Sequence, residues 1–116
     1  MQLNRSNFAG HSDWRIPTIG QDGGTAELET ILSETYPTCE AVPCQSCTTS
    51  PCVSPVFNTG CTPGCSVTSC SCTAATWYWS ATTHAANQQE AQFASFNAGN
   101  ENHFYKLLAL GVRAVR

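Results

Sequence analysis

Apolar and polar positions divide the 116-residue chain into three zones. In the first, Met1 to about Tyr36, residues Leu28, Ile31 and Leu32 recur at helical spacing. Thr25 stands in the N-cap position, and Glu27 falls in the first turn, where the partial positive charge of a helix end favours a carboxylate. The spacing predicts a short amphipathic helix over Ala26–Glu34. The run GQDGG before it, Gly20 to Gly24, is turn material and predicts a loop. In the last zone Trp77, Tyr78 and Trp79, then Phe93 to Phe96, then Phe104 to Val115 broken by Gly111, are strand formers. They predict three or four antiparallel strands. Phe93 and Phe96 have opposite parity, as do Val112 and Val115, so these strands either carry a bulge or are covered on both faces. Trp79 is expected in the core and Ser80 as a strand-end cap, with Trp77 and Tyr78 partly exposed. No internal repeat is present.

Between these zones the pattern lapses. The middle carries five of the six prolines, no charge after Glu40 and an explicit turn at Thr62–Gly64, so it predicts almost no regular structure, with Val53, Val56 and Phe57 pinning it to the domain. It also holds all eight cysteines, Cys39, Cys44, Cys47, Cys52, Cys61, Cys65, Cys70 and Cys72. A zinc reading has one C-x2-C knuckle, Cys44 and Cys47, but no second one, and the closing C-x-C at Cys70 and Cys72 is a poor chelate. The favoured reading is a disulfide framework of open connectivity, each bridge restricting the unfolded chain by about 2–4 kcal/mol. No resident cofactor or metal is expected.

The length fits one domain, residues 1–116. Charged residues are only 11% of the chain and the net charge is −3, so the surface is largely neutral and polar. Five scattered basic residues, Arg5, Arg15, Lys106, Arg113 and Arg116, make no stripe that could track a phosphate backbone, which argues against nucleic acid. No apolar run approaches the roughly 20 residues that cross a bilayer. The start MQLNRSNF lacks the apolar core of a signal peptide, whereas the cysteines imply an oxidising, extracytoplasmic setting. Met1 is therefore read as an internal start, or the chain as a segment of a longer secreted protein.

Candidate chemistry is sparse. Asp13 has no matched acid or nucleophile at identifiable spacing, so no catalytic set is expected and the chain reads as a non-enzyme. Asp13, Trp14 and Arg15 are expected to be structural, Trp14 by burial and Asp13 and Arg15 by pairing with backbone groups or with Arg113 or Arg116, so that the two ends of the fold are fastened together. His11, His84 and His103 are far apart in sequence, without the spacing of a metal site, and are expected as separate surface residues. Calcium has only Glu101 and its Asn neighbours as candidate ligands. The segments HAANQQE and NAGNENHFYK are rich in side chains that both donate and accept hydrogen bonds. With Trp77 they nominate a recognition surface of His84, Asn87, Gln88, Gln89, Asn97, Asn100, Glu101, Asn102, His103, Tyr105 and Lys106. The competing reading is that their Asn and Gly residues merely build turns.

Four stretches taken in order are specific: GHSDWRIPT (Gly10–Thr18), YWSATT (Tyr78–Thr83), FNAG (Phe96–Gly99) and VRAVR (Val112–Arg116). Together they resemble the C-terminal domain of the Lcl-type collagen-like bacterial adhesins, with the TGCTPGC and CSCT runs similar to an insertion in some members. The resemblance implies an α+β, C-type-lectin-like fold with a short helix, small antiparallel sheets and a disulfide-rich insertion over residues 39–72. It implies an extracytoplasmic adhesion module recognising a glycan or protein. In related retroelement-diversified proteins the variable positions cluster just before the final strand, where the Asn-rich loops stand here. Two other functions come from the same kinship: a structural or trimerising cap of a longer surface protein, for which the sequence has no stalk, and an enzyme like the formylglycine-generating relatives, whose reactive cysteine pair has no counterpart in the shared motifs. Glycosaminoglycan binding, known in the adhesins, is disfavoured by the acidic balance. Members carry a further strand and helix before the DWR motif, so the N-terminal edge is expected to be truncated.

Overall fold

The computed structural model describes residues 2–21, 23–33, 47, 50–58 and 72–116. The expectations for Glu34, for Cys39, Cys44, Cys61, Cys65 and Cys70, and for the Thr62–Gly64 turn lie outside the described residues.

The centre is a three-stranded antiparallel sheet of β1 (Trp77–Thr83), β2 (Glu90–Ser95) and β3 (Glu101–Tyr105), in the order β1-β2-β3. β1 carries the aromatic and β-branched residues that suit a pleated surface. β2, the middle strand, is buried at every position from Ala91 to Ser95, so the cover on both faces inferred from parity is present. A bulge that the sequence did not signal lies in β1: Trp79 faces Phe93, but the register has slipped by the time Thr83 faces Ala91. Ser80 sits at this slip. Its hydroxyl donates to the Gln92 carbonyl at 2.9 Å and accepts from the Thr82 amide at 3.1 Å. It therefore restores hydrogen bonds inside the strand and does not cap its end.

Cross-strand partners share a face, so Tyr78 and Ala94 point one way and Trp79, Phe93 and Asn102 the other. Tyr78 and Ala94 enter the core with Ile19, Leu28, Leu32, Cys52, Val53 and Phe96. The expectation for β1 is thus inverted, with Tyr78 inside and Trp79 outside. Tyr78 meets Phe96 edge to face at 5.1 Å, and its hydroxyl receives the Ala74 amide at 3.0 Å, which satisfies its polar atom in the core. Trp79 lies on the outer face with its indole N–H donating to the Leu108 carbonyl at 3.1 Å.

The helix expected over Ala26–Glu34 is reduced to a single 3-10 turn, Leu28–Ile31, followed by extended Leu32. Thr25 caps nothing; its carbonyl receives the Thr18 hydroxyl. Glu27 precedes the turn, and its carboxylate is taken by Arg15 and Thr18. These competing bonds anchor the first turn elsewhere. The apolar spacing is still used, since Leu28 and Leu32 are buried and Ile31 packs against the core. The described residues of the predicted loop, Gly20, Gln21, Gly23 and Gly24, lie outside helix and strand, and Gly24 makes a close approach: a Cβ there would collide with the Ile19 carbonyl oxygen and stand 2.7 Å from the Thr82 hydroxyl.

Of the strand run expected over Phe104–Val115, broken at Gly111, only Phe104 and Tyr105 lie in a strand. β3 begins earlier, at Glu101, and after Tyr105 the chain makes only two isolated bridges, Gly111 beside Tyr78 and Val115 beside Arg15. Gly111 allows the backbone to cross the Tyr78 ring, where a Cβ would meet ring carbons at 2.9 Å. The Val115 bridge closes the domain, Arg15 donating to Val115 at 2.8 Å and receiving from it at 2.9 Å. The two ends are therefore fastened, as expected, but by backbone. Asp13 is exposed and makes no side-chain bond to Arg113 or Arg116; Arg15 pairs with Glu27, and Arg116 reaches His11. Trp14 is half-buried against Phe8, to whose carbonyl its indole donates at 3.0 Å, and Asn4 of the short helix α1 (Gln2–Arg5) brackets its backbone.

Residues 50–58 are stitched into this frame. Cys52 donates to the Phe96 carbonyl at 2.7 Å, and Ser54 to that of Ile31 at 2.8 Å. Cys52 is fully buried and bridged to Cys47; Cys72 is also disulfide-bonded, and none of the described cysteines is free. Val53 and Phe57 pin the segment as expected, whereas Val56 is 66% exposed and does not. Arg113 completes the join. Its guanidinium lies over the Phe57 ring, 5.4 Å from the centroid, and donates to the Thr73 hydroxyl. Burial pulls its pKa below the usual value.

Candidate functional site

The outer face of the sheet is aromatic and only partly covered. Trp77 stacks on Phe93 with centroids 4.7 Å apart, and Trp79 meets the same ring edge-on at 6.2 Å. Phe93 is buried between them, while Trp77 remains 41% exposed. Beside this row opens a cleft of about 210 Å³, lined by Ile16, Trp79, Ser80, Ala81, Thr83, Ala91, Lys106 and Val112. The Lys106 ammonium is fixed at its rim by the Thr83 hydroxyl and the Gln88 carbonyl, both at 2.9 Å. An ammonium has three protons, so this anchorage leaves donor capacity for a ligand. The cleft thus combines an indole wall, an aliphatic floor, a hydroxyl and one exposed cation.

The residues nominated from sequence do not form one surface. β1, β2 and β3 run up, down and up, so the two amide-rich turns project from opposite ends of the sheet. At the end beside the cleft stand His84, Asn87, Gln88, Gln89, His103, Tyr105 and Lys106; at the other stand Trp77, Asn97, Asn100, Glu101 and Asn102. The turn-building reading accounts for several of these. Asn87 accepts from the Gln89 amide and donates to Glu90, both at 3.1 Å; Asn100 is buried, and its carbonyl receives the Ser95 amide. Asn102 accepts from the His103 amide at 2.8 Å. The Glu101 carboxylate receives the Gln21 amide at 2.7 Å, and its pKa is raised by burial and by neighbouring Glu29. Gln88, Gln89 and Asn97 are exposed. The cleft wall from Ile16, Thr83, Val112 and Trp79 went unforeseen, although the equal parity of Trp77 and Trp79 was a signal that they share a face.

A second cluster lies at the inner edge of the sheet's cleft end. His84 and His103 were expected apart, but the hairpin register stacks their rings, centroids 3.7 Å apart and planes within 6°. Glu90 accepts from His103 Nδ1 at 2.6 Å and from the Asn87 side chain, and Gln92 Nε2 lies 3.4 Å from His84 Nδ1. One ring nitrogen of each histidine and one Glu90 oxygen lie within 4.8 Å of one another. Sequence distance hid this cluster because antiparallel pairing, not local spacing, brings residues 84, 90 and 103 together.

Away from both clusters, Arg15 and Glu27 form an exposed bidentate pair. The Arg15 hydrogen bond, helped by the Thr18 amide, holds the Glu27 carboxyl down at about 2.

The class so defined is a small mixed domain, a three-stranded antiparallel sheet with a few short helical turns and a disulfide, carrying a cleft on its outer face. The chain belongs to the Lcl C-terminal domain family, whose model matches residues 1–116. No curated protein and no solved structure matches it. No helix among the described residues is long and apolar enough to cross a membrane.

Proposed function

We propose that the chain is a non-enzymatic, extracytoplasmic adhesion module that binds a short saccharide in the outer-face cleft, with an acidic substituent of the sugar within reach of Lys106. The observation that carries this reading is the cleft itself: Trp79 offers an aromatic wall for apolar sugar faces, while Thr83 and Lys106 offer directional polar groups. Its family, associated with surface adhesins, supports the same reading. A single rim cation in a chain of net charge −3 suits one acidic group and not a long polyanion. We read the fold as C-type-lectin-like on the adjacency of the two chain ends at Arg15 and Val115 and on the Cys47–Cys52 disulfide in the segment before the sheet.

Titration against a panel of neutral and acidic saccharides tests the proposal. Lys106→Ala and Trp79→Phe are each expected to weaken binding by about 1–2 kcal/mol, roughly 5- to 30-fold, while Asn97→Ala, at the far end of the sheet, leaves it unchanged. Saturable binding indifferent to both cleft variants would move the site elsewhere.

One observation favours a second reading, a structural or trimerising cap. β3 is the edge strand, and Phe104, Tyr105, Leu107 and Leu108 on and after it are exposed, Leu107 by 96%. Exposed apolar residues on a strand edge invite pairing with another chain. Sedimentation of the ligand-free protein distinguishes the two, because only the cap reading requires a stable oligomer.

A further inference from the structure

We propose that His84, Glu90 and His103 form a binding site for a divalent transition-metal ion, Zn2+ by donor chemistry, which clamps the β1–β2 hairpin to the edge strand. Two imidazoles and one carboxylate are the donor set that zinc accepts, whereas calcium and magnesium prefer sites built from oxygen alone. The three residues come from three places in the fold. His84 opens the turn after β1, Glu90 begins β2, and His103 is in the middle of β3, so an ion held by all three would cross-link every strand of the sheet.

The geometry is close to loading without being set for it. Ligand atoms bound to one zinc ion stand roughly 3.3 Å apart, given bonds of about 2.0–2.1 Å, and the three donor atoms here lie within 4.8 Å of one another. A contraction of about 1.5 Å at most separates the two arrangements. The hydrogen bond between His103 Nδ1 and Glu90 would be exchanged for bonds to the ion, with loss of any shared proton. The stacked rings must also splay, because nitrogen lone pairs lie in the ring planes and two parallel rings 3.7 Å apart cannot both aim at one point. The positions permit this: His103 is 41% exposed on an edge strand, and His84 lies outside the ladder at the head of a turn. Asn87, hydrogen-bonded to Glu90, and Gln92, beside His84, supply the outer contacts that orient metal-binding side chains. Three protein ligands leave a fourth position for water or for an oxygen of a bound molecule.

The test is equilibrium dialysis of the oxidised, chelator-treated full chain against Zn2+, with metal counted per chain and Ca2+ as a parallel probe. The expected result is one saturable zinc per chain, no calcium at the same concentration, and affinity at least about tenfold weaker in His103→Ala and in Glu90→Gln. His11→Ala, altered at the remaining histidine, is expected to bind as the parent does. Histidine ring signals in NMR spectra of the unmutated protein give a reading that does not depend on the variants folding. Those of His84 and His103 should move together on adding zinc as the stack opens, while those of His11 stay. No saturable zinc, zinc retained in full by both variants, or unmoved His84 and His103 signals would each overturn the proposal.

Discussion

The two faces of one small sheet are built on different rules. On the inner face Tyr78 and Ala94 meet Phe96, Ile19 and Leu28, all buried, with the tyrosine hydroxyl satisfied by a backbone amide. On the outer face Trp77, Trp79 and Phe93 make an aromatic row, yet Trp77 stays 41% exposed and a cleft opens beside it. Aromatic content therefore does not distinguish core from site. What distinguishes them is whether neighbouring segments close over the rings: residues 50–58 and the Leu28–Ile31 turn cover the inner face, while Ile16, Val112 and the Lys106 side chain only rim the outer one.

The largest expected effect tests that contrast. Phe96 is fully buried and packed on Tyr78, so Phe96→Ala is expected to cost about 3–5 kcal/mol in denaturant unfolding. Trp77→Ala removes a larger side chain from the outer face, but one still in water, and is expected to cost about 1 kcal/mol or less beyond its stacking on Phe93. Equal losses from the two would mean that the outer row is core and that the cleft is a packing defect.

A smaller effect is expected where the inner face leaves no space at all. At Gly24 a Cβ would collide with the Ile19 carbonyl and the Thr82 hydroxyl, and Gly24→Ala is expected to cost about 1–3 kcal/mol by overpacking. Nothing lies within 4 Å of a Cβ on Gly23, whose φ is +81°, so Gly23→Ala isolates backbone strain of about 1 kcal/mol. Thermal unfolding of both variants separates close approach from backbone freedom. A cost at Gly24 no greater than that at Gly23 would show that the loop relaxes away from β1.

These contrasts mark how far the sequence could be read. Short antiparallel strands, a disulfide in the cysteine zone and the fastening of the two ends were legible, because strand formers and the cysteine cluster are local signals. Family membership was legible from the order of four stretches. Which of Tyr78 and Trp79 faces the core was not, because alternation fixes relative parity only, and the choice depends on Gly111 crossing the Tyr78 ring. The helix was overextended because its apolar spacing was right, but the capping groups were drawn away by Arg15 and Thr18. Strand formers past Tyr105 misled because Leu107–Leu110 is apolar yet lies outside the sheet, the chain rejoining it only at Gly111. The candidate site was half legible: Lys106 was named, but its cleft partners depend on register, as does the meeting of His84 with His103.

The smallest expected effect concerns two carboxylates in opposite settings, one beside a cation in the open and one against the inner rim of the sheet. Glu27 is held at about 2 by Arg15, below the ordinary glutamate value of about 4.3. Its folded-state pKa is depressed, so its contribution to stability is present above the unfolded value and disappears as pH falls from about 4.3 to about 2. Glu101 is shifted the other way by burial and by Glu29. A raised folded-state pKa means that the stability linked to its protonated form is complete below the unfolded value and is lost as pH rises through the folded one. Glu27→Gln should therefore flatten the acid limb of the stability curve and lower stability at pH 7. Glu101→Gln should raise stability slightly at pH 7 and leave it unchanged near pH 3, because the neutral amide can still accept from Gln21. Denaturant unfolding of both variants at the two pH values checks the signs. If Glu101→Gln destabilises at pH 7, the carboxylate is being held in its charged form by a favourable partner, and the inner rim is less desolvated than its packing implies.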